Sequence, residues 1–329
     1  MAFSRLKRIR LSHFMTQKEV ADKLGISQPN YQRWESGAAP IPNRQLKRLA
    51  KALRCTTEEI LGKARPFDML GIDSGADPTR QYFGEVAIHF KSAKHPLLLP
   101  ISEWERSALY RQTSNVKRAI VVVESLDNRT VLMSRRAITD IYLSSEAFDD
   151  YGPEDAEYYG YFGVYPDDEF WRIVEYSDYL EGISGEYDEE FIAQVITALN
   201  QMSADEREDF LARAEKIEWQ LPSGDLRDAT VDSDDELAES FDVFGLDDPD
   251  IDLGEDEDFF HVNIEGAHRS VFLNVANVEW ISVPTHRLKH GALSEAEDLV
   301  DGSPAENTKR KARTGSPEAE DDLRSAGRD

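Results

Sequence analysis

Through the first sixty residues, apolar side chains recur three and four apart, the period of a helix with one buried face. Leu6 and Ile9 open the series in a stretch predicted helical to residue 12. Val20, Ala21 and Leu24 follow, then Tyr31 and Trp34, then Leu46, Leu49, Ala50 and Leu53. The breaks between these sets carry helix signals. Thr16 with Glu19 spells a capping box. Gly25 falls where a helix C-cap needs a left-handed residue. Ile26 plugs the core, Ser27 stands at the next N-cap, and Pro29 lies in the first turn, where its missing N–H costs little. Residues 38–42 make a rigid Pro-containing turn before a fourth helix over about 43–53. Thr56 and Glu59 form a second capping box, opening a fifth helix that ends near Gly62.

Beyond that point the pattern changes. Residues 63–78 read as a linker. Strands are predicted over 85–90 and 96–101, followed by a helix capped by Ser102. Residues 119–124 are a continuous valine-rich apolar run, the mark of a buried strand, and strands follow over 130–134 and 138–143. Residues 119–143 align without a gap to 259–283, chiefly by apolar pattern, which predicts two small β-meanders built alike. Between them, residues 151–165 are rich in tyrosine, suited to packing on a sheet or to binding a ligand or partner. Amphipathic helices are predicted from Asp167, over 187–201 and over 203–219, the last two as a helical hairpin.

Charge divides the chain more sharply than hydropathy does. The whole carries −26, but residues 1–65 hold 14 Lys and Arg against 5 Asp and Glu, a balance of +9. The remainder carries −35. A small basic module can approach phosphate although the protein is acidic, because remote charge is screened over about 8 Å at physiological salt. Residues 225–258 hold sixteen Asp and Glu and one Arg, and are predicted largely exposed. From about residue 291 the composition predicts a disordered tail with a basic cluster at 309–313. No apolar run is long enough to span a membrane, and residues 1–10 lack the apolar stretch of a signal peptide. With one cysteine, Cys55, no disulfide forms within the chain, and a cytoplasmic location is the expectation.

On the third helix the apolar stripe leaves Gln28, Asn30, Gln32 and Arg33 pointing outward. Gln and Asn can each hold adenine by two hydrogen bonds, and Arg can do the same for guanine. With the Ala21/Gly25/Ile26 turn, Ser27, the Arg33-Trp34-Glu35 triplet and Gly37, residues 6–61 resemble the Cro/lambda-repressor-like (XRE) helix-turn-helix family. The resemblance covers under a fifth of the chain. It implies that the third helix reads the major groove, that Gln17 touches the phosphate backbone, and that Gln28, Asn30 and Arg33 reach bases or nearby phosphates. It also implies an ion pair between Arg10 and Glu35 that ties the first helix to the third. Tyr31 departs from the family, which carries a smaller aliphatic residue there. The candidate DNA contacts are Thr16, Gln17, Ser27, Gln28, Asn30, Gln32, Arg33 and Arg44.

Other chemistry is poorly represented. The run Asp248-x-Asp250-x-Asp252 has Leu253 where a calcium loop needs Gly and Phe259 where it needs Glu. His286 and His290 stand four apart without a third ligand at family spacing, and read as surface histidines. No phosphate-cradling loop, nucleophile elbow or HExxH is present. No cofactor, metal or enzyme activity is therefore expected. The predicted architecture is multidomain. A five-helix all-α DNA-binding domain at 1–62 and the linker at 63–78 precede an α+β unit with the first meander at 79–146. An aromatic and helical segment at 147–224, the acidic segment at 225–258, the second meander at 259–290 and the tail at 291–329 complete it. The expected function is sequence-specific transcription regulation by a homodimer on double-stranded DNA. The alternative is an antitoxin-like or anti-repressor-like factor whose acidic segment binds a basic protein partner.

Overall fold

A computed structural model describes residues 4–61, 82–115, 119–144, 165–183, 185–242 and 259–301. The linker at 63–78, the aromatic run up to Val164, the calcium-loop-like run and the basic cluster at 309–313 lie outside the described residues.

The N-terminal module consists of α1 (Arg5–Ser12), α2 (Gln17–Leu24), α3 (Gln28–Glu35), α4 (Asn43–Ala52) and α5 (Thr57–Leu61). Leu6, Val20, Leu24, Tyr31, Leu49, Leu53 and Ile60 form its core. Tyr31 is fully buried, whereas Trp34, three residues on, is only half-buried.

The body begins with β1 (Tyr82–Phe90), β2 (Leu97–Ser102), α6 (Glu103–Ser114), β3 (Ile120–Glu124), β4 (Arg129–Ser134) and β5 (Ile138–Ser144). It continues with α7 (Asp168–Glu175), α8 (Glu189–Gln201), α9 (Ala204–Glu215), β6 (Lys216–Gln220), β7 (Leu226–Thr230) and α10 (Asp234–Asp242). Last come β8 (Phe259–Asn263), β9 (Ser270–Asn274), β10 (Trp280–Pro284) and α11 (Thr285–Asp301).

Among the described residues three antiparallel sheets result, ordered β2-β1-β5, β3-β4-β10-β6-β7 and β8-β9. The five-stranded sheet is the middle layer, and the alternation of β-strand side chains serves both of its faces. Val121, Val123, Val131, Met133 and Trp280 pack with β1, β2 and Leu109 of α6. Ile120, Leu132, Ile217, Trp219, Ile281 and Val283 pack with α10 and the β8-β9 hairpin. A strand buried on both faces must be apolar at consecutive positions, which explains the run in β3.

Several expectations change. The two meanders do not form as such. β3 and β4 pair, as do β8 and β9, but the third strand of each unit leaves: β5 joins β1, and β10 inserts between β4 and β6. With β3 on one side and β10 on the other, β4 has no edge left for β5. The helix expected to reach Trp219 ends at Glu215 and continues as β6, where Ile217 and Trp219 alternate into the sheet core. α8 and α9 both pack on α7 around Phe170, Trp171, Ile173, Val195, Leu199 and Ala214. The acidic run is not simply exposed: Leu226–Thr230 pairs with β6, and Leu237, Ala238 and Phe241 of α10 are buried. Residues 285–301 of the expected second meander and tail are the helix α11.

His286 and His290 also differ from expectation, His286 being buried and His290 half-buried. Their helix meets α7 and α10 around a buried charge cluster. Arg172 Nη1 lies 2.8 Å from Glu175 and 2.9 Å from Asp234, and Arg287 Nε lies 2.6 Å from Asp234. His286 Nε2 is 3.1 Å from Glu175, and His290 Nδ1 is 3.0 Å from Asp234. Burial opposes ionisation of Asp234, but His290, Arg287 and Arg172 outweigh it and hold that carboxyl well below its usual range. Burial pushes the His286 imidazole down. Among the described residues, no group of His, Cys, Asp and Glu is arranged to hold a metal, and no helix is long and apolar enough to cross a membrane.

Glu105 has a different environment. Its backbone N–H donates to the Ser102 cap at 3.1 Å, but its side chain is buried. Burial, with the Glu124 carboxylate nearby, pushes its pKa up to about 8. The folded protein therefore keeps a proton there that the unfolded chain releases near pH 4.5. That contribution is fully present below pH 4.5 and is lost as pH rises towards about 8. Glu105→Gln is expected to stabilise the protein at pH 8.5 by on the order of 2–4 kcal/mol, with little effect at pH 4.5. Urea midpoints at the two pH values test this, and a variant no more stable than the parent at pH 8.5 would contradict it.

Candidate nucleic-acid interface

The turn between α2 and α3 is built as its residues dictate. Thr16 Oγ1 accepts the Glu19 N–H at 3.1 Å, and the Glu19 carboxylate accepts the Thr16 N–H at 2.8 Å, so both halves of the capping box form. Gly25 adopts φ +66°, a left-handed conformation that costs glycine little, and its N–H donates to Ala21 and Asp22. The Ile26 N–H then donates to the Ala21 carbonyl at 3.0 Å. Ser27 occupies the N-cap of α3 with extended backbone but makes no side-chain capping bond. Its expected role as a cap is limited to backbone position.

Tyr31 anchors α3 in the core and turns the opposite face to solvent. Gln28, Asn30, Gln32 and Arg33 are exposed, as is Arg44 at the start of α4. Thr16 and Gln17 are half-buried at the start of α2. The Gln17 side chain has an internal role: its Nε2 donates to Glu35 at 2.9 Å.

Glu35 closes the C-terminal end of α3 against α1. Arg10 Nε lies 2.8 Å from Glu35 Oε2, and Arg10 Nη2 lies 2.9 Å from Oε1, a bidentate pair between two buried side chains. Burial would raise the Glu35 carboxyl, but the hydrogen bonds from Arg10 and Gln17 outweigh it and hold it below the usual carboxylate range. The Ser4 hydroxyl adds a bond to the Glu35 carbonyl at 2.5 Å.

The basic side chains of the module divide into two groups. Lys18, Lys23, Arg33, Arg44, Lys47, Arg48, Lys51 and Arg54 are exposed. Those of α1 instead face acidic side chains of the body. Arg5 and Arg8 pair with Glu169 of α7, Lys7 pairs with Glu297 of α11, and Arg10 reaches Asp301 of α11. Arg8 also lies over the Tyr187 ring at 4.6 Å. Leu11, fully buried, packs with Leu293, Ala296 and Val300. The body thus holds the module by α1 and leaves the outer face of α3 open. Sequence reasoning missed this interface. The visible signal was Leu11, an apolar residue off the α1 stripe, and a matching apolar series Leu293, Ala296 and Val300 in the supposed tail.

Comparison with known proteins agrees with this local structure. Residues 6–60 match the model of a Helix-turn-helix family, so this segment is a helix-turn-helix domain of the XRE type. No curated protein and no solved structure matches the chain.

Proposed function

We propose that the chain is a sequence-specific DNA-binding transcription regulator that works as a homodimer. The observation that supports this reading most is the polar set on α3, Gln28, Asn30, Gln32 and Arg33, exposed on a helix-turn-helix whose opposite side is held by the body. Helix α3 enters the major groove, with Gln28, Asn30 and Arg33 at base edges. Thr16, Gln17, Ser27 and Arg44 lie along the phosphate backbone and fix the register. Gln17 is tied to Glu35 by its side chain, so its backbone N–H at the start of α2 is the group aimed at phosphate. A module of this size covers too little DNA for useful selectivity alone, so two copies about 34 Å apart are required. Their interface lies in the body, and light scattering at micromolar concentration is expected to give twice the chain mass.

Selection of bound fragments from random DNA with the full-length protein tests the reading. A single enriched motif is expected, and an unselective pool would refute it. Arg33→Ala is expected to weaken binding to the selected site by about 1–3 kcal/mol while leaving random DNA nearly unchanged. An equal loss on both would place Arg33 on phosphate instead of guanine.

A further inference from the structure

Among the described residues Arg10 makes five hydrogen bonds, as many as its guanidinium has N–H groups. Nε donates to Glu35, and Nη2 donates to Glu35 and to Asp301 Oδ2 at 2.7 Å. Nη1 donates to the Met15 carbonyl at 2.7 Å and to Asp301 Oδ1 at 3.4 Å. The planar group is therefore gripped on one edge by the last residue of α3 and on the other by the last residue of α11. Glu35 alone would leave part of the fork without a partner in the fold. Asp301 completes it from a position 291 residues away.

We propose that Asp301 is a positioning residue for DNA reading. Through Arg10 and Glu35 it fixes the C-terminal end of α3, so the angle of the recognition helix is set by α11. Three features support this. Arg10 has no solvent exposure, so its plane cannot turn without moving a partner. The contact lies beside the Leu11–Ala296 packing and the Lys7–Glu297 pair, which hold α11 along α1. Glu35 is bonded to α1 and α2 at once, so displacement of Arg10 is passed to the frame that carries Gln28, Asn30 and Arg33. The DNA half of the proposal rests on the function proposed above; the coupling half does not.

The test uses full-length Asp301→Asn, Asp301→Ala and Asp301→Glu, with Glu297→Gln as a control on the same helix that does not touch Arg10. Without DNA, amide exchange in residues 32–37 is expected to quicken about three- to tenfold in the Asn and Ala variants, the range of a loss of about 0.7–1.4 kcal/mol. The Glu variant is expected to return towards the parent. With DNA, the ratio of affinities for the selected site and random DNA is expected to fall about three- to tenfold. Its salt dependence should stay unchanged, since no phosphate contact is removed. Parent-like exchange and selectivity in both the Asn and Ala variants would overturn the proposal. So would an equal effect of Glu297→Gln, which would make general docking responsible. If the parent showed no selectivity, the regulator reading would fail, and exchange alone would still decide the coupling.

Discussion

Arg10→Ala is expected to destabilise the N-terminal module by about 3–5 kcal/mol, the usual result of removing one partner from a buried ion pair. Arg10 is fully buried and Glu35 is 4 % exposed, so the orphaned Glu35 carboxylate cannot recover its hydration without opening the module. A domain of this length holds only about 3–8 kcal/mol in total. The substitution therefore removes most of the stability that keeps α3 in place. The body, with its own cores around the five-stranded sheet, should stay folded. Hydrogen exchange separates the two: protection should vanish across residues 4–61 and persist in β4 and β10. DNA affinity should fall for selected and random sequences alike, unlike the effect of Arg33→Ala. Replacing Arg10 and Glu35 together by methionine should restore much of the loss, because no buried charge is left unpaired. A loss under about 1 kcal/mol for Arg10→Ala would mean that Glu35 finds water or another donor, and would refute the saturated-fork description.

The N-terminal module was legible because each of its signals is local. A capping box, a left-handed glycine and a helical stripe all act within eight residues, and all three stand in the structure. The body was legible only as an α+β region. Strands β1 to β5 were placed well, and β1-β2 and β3-β4 pair as chain neighbours, but the partners of β5 and β10 were not legible, because a strand pattern does not specify which edge it meets. The repeat alignment saw two similar hairpins and could not see that β5 and β10 depart to different sheets. Composition misled where it outweighed spacing. In α10 the acidic residues hid Leu237, Ala238 and Phe241, which share one helical face. In α11 they hid Leu293, Ala296 and Val300. His286 read as a surface residue because Asn128, Glu175 and Arg172, which surround it, are distant in sequence. Among the candidate DNA contacts, Gln28, Asn30, Gln32 and Arg33 follow from one helix and its stripe, whereas Thr16, Gln17, Ser27 and Arg44 lie on the neighbouring caps and helices. The clamp on Arg10 could not be read, since Asp301 lies at the far end of the described chain.

Gly291→Ala is the second large effect expected, and here two principles oppose each other. In a helix interior, alanine is worth about 1 kcal/mol more than glycine, so propensity predicts a stabler protein. Packing predicts the reverse. A Cβ on Gly291 would overlap the Asp234 carbonyl oxygen and stand 2.6 Å from its carbon and 2.8 Å from the Ala238 Cβ. The obstruction is mostly backbone, so no rotamer change relieves it, and α10 and α11 must move apart. Overpacking of this kind costs typically about 1–3 kcal/mol. The movement also strains the Asp234 contacts with Arg287, Arg172 and His290, whose loss adds to the cost because those charges are buried. We expect a net destabilisation of about 3 kcal/mol, read as a lower urea midpoint of the full-length protein. Because α11 runs on from Gly291 to Glu297 and Asp301, exchange protection in α1 should fall with it. A midpoint equal to or above the parent's would show that propensity wins and that α10 can yield. An unmoved α1 alongside a weakened body would instead show that the two ends of α11 act independently, which the clamp on Arg10 does not allow.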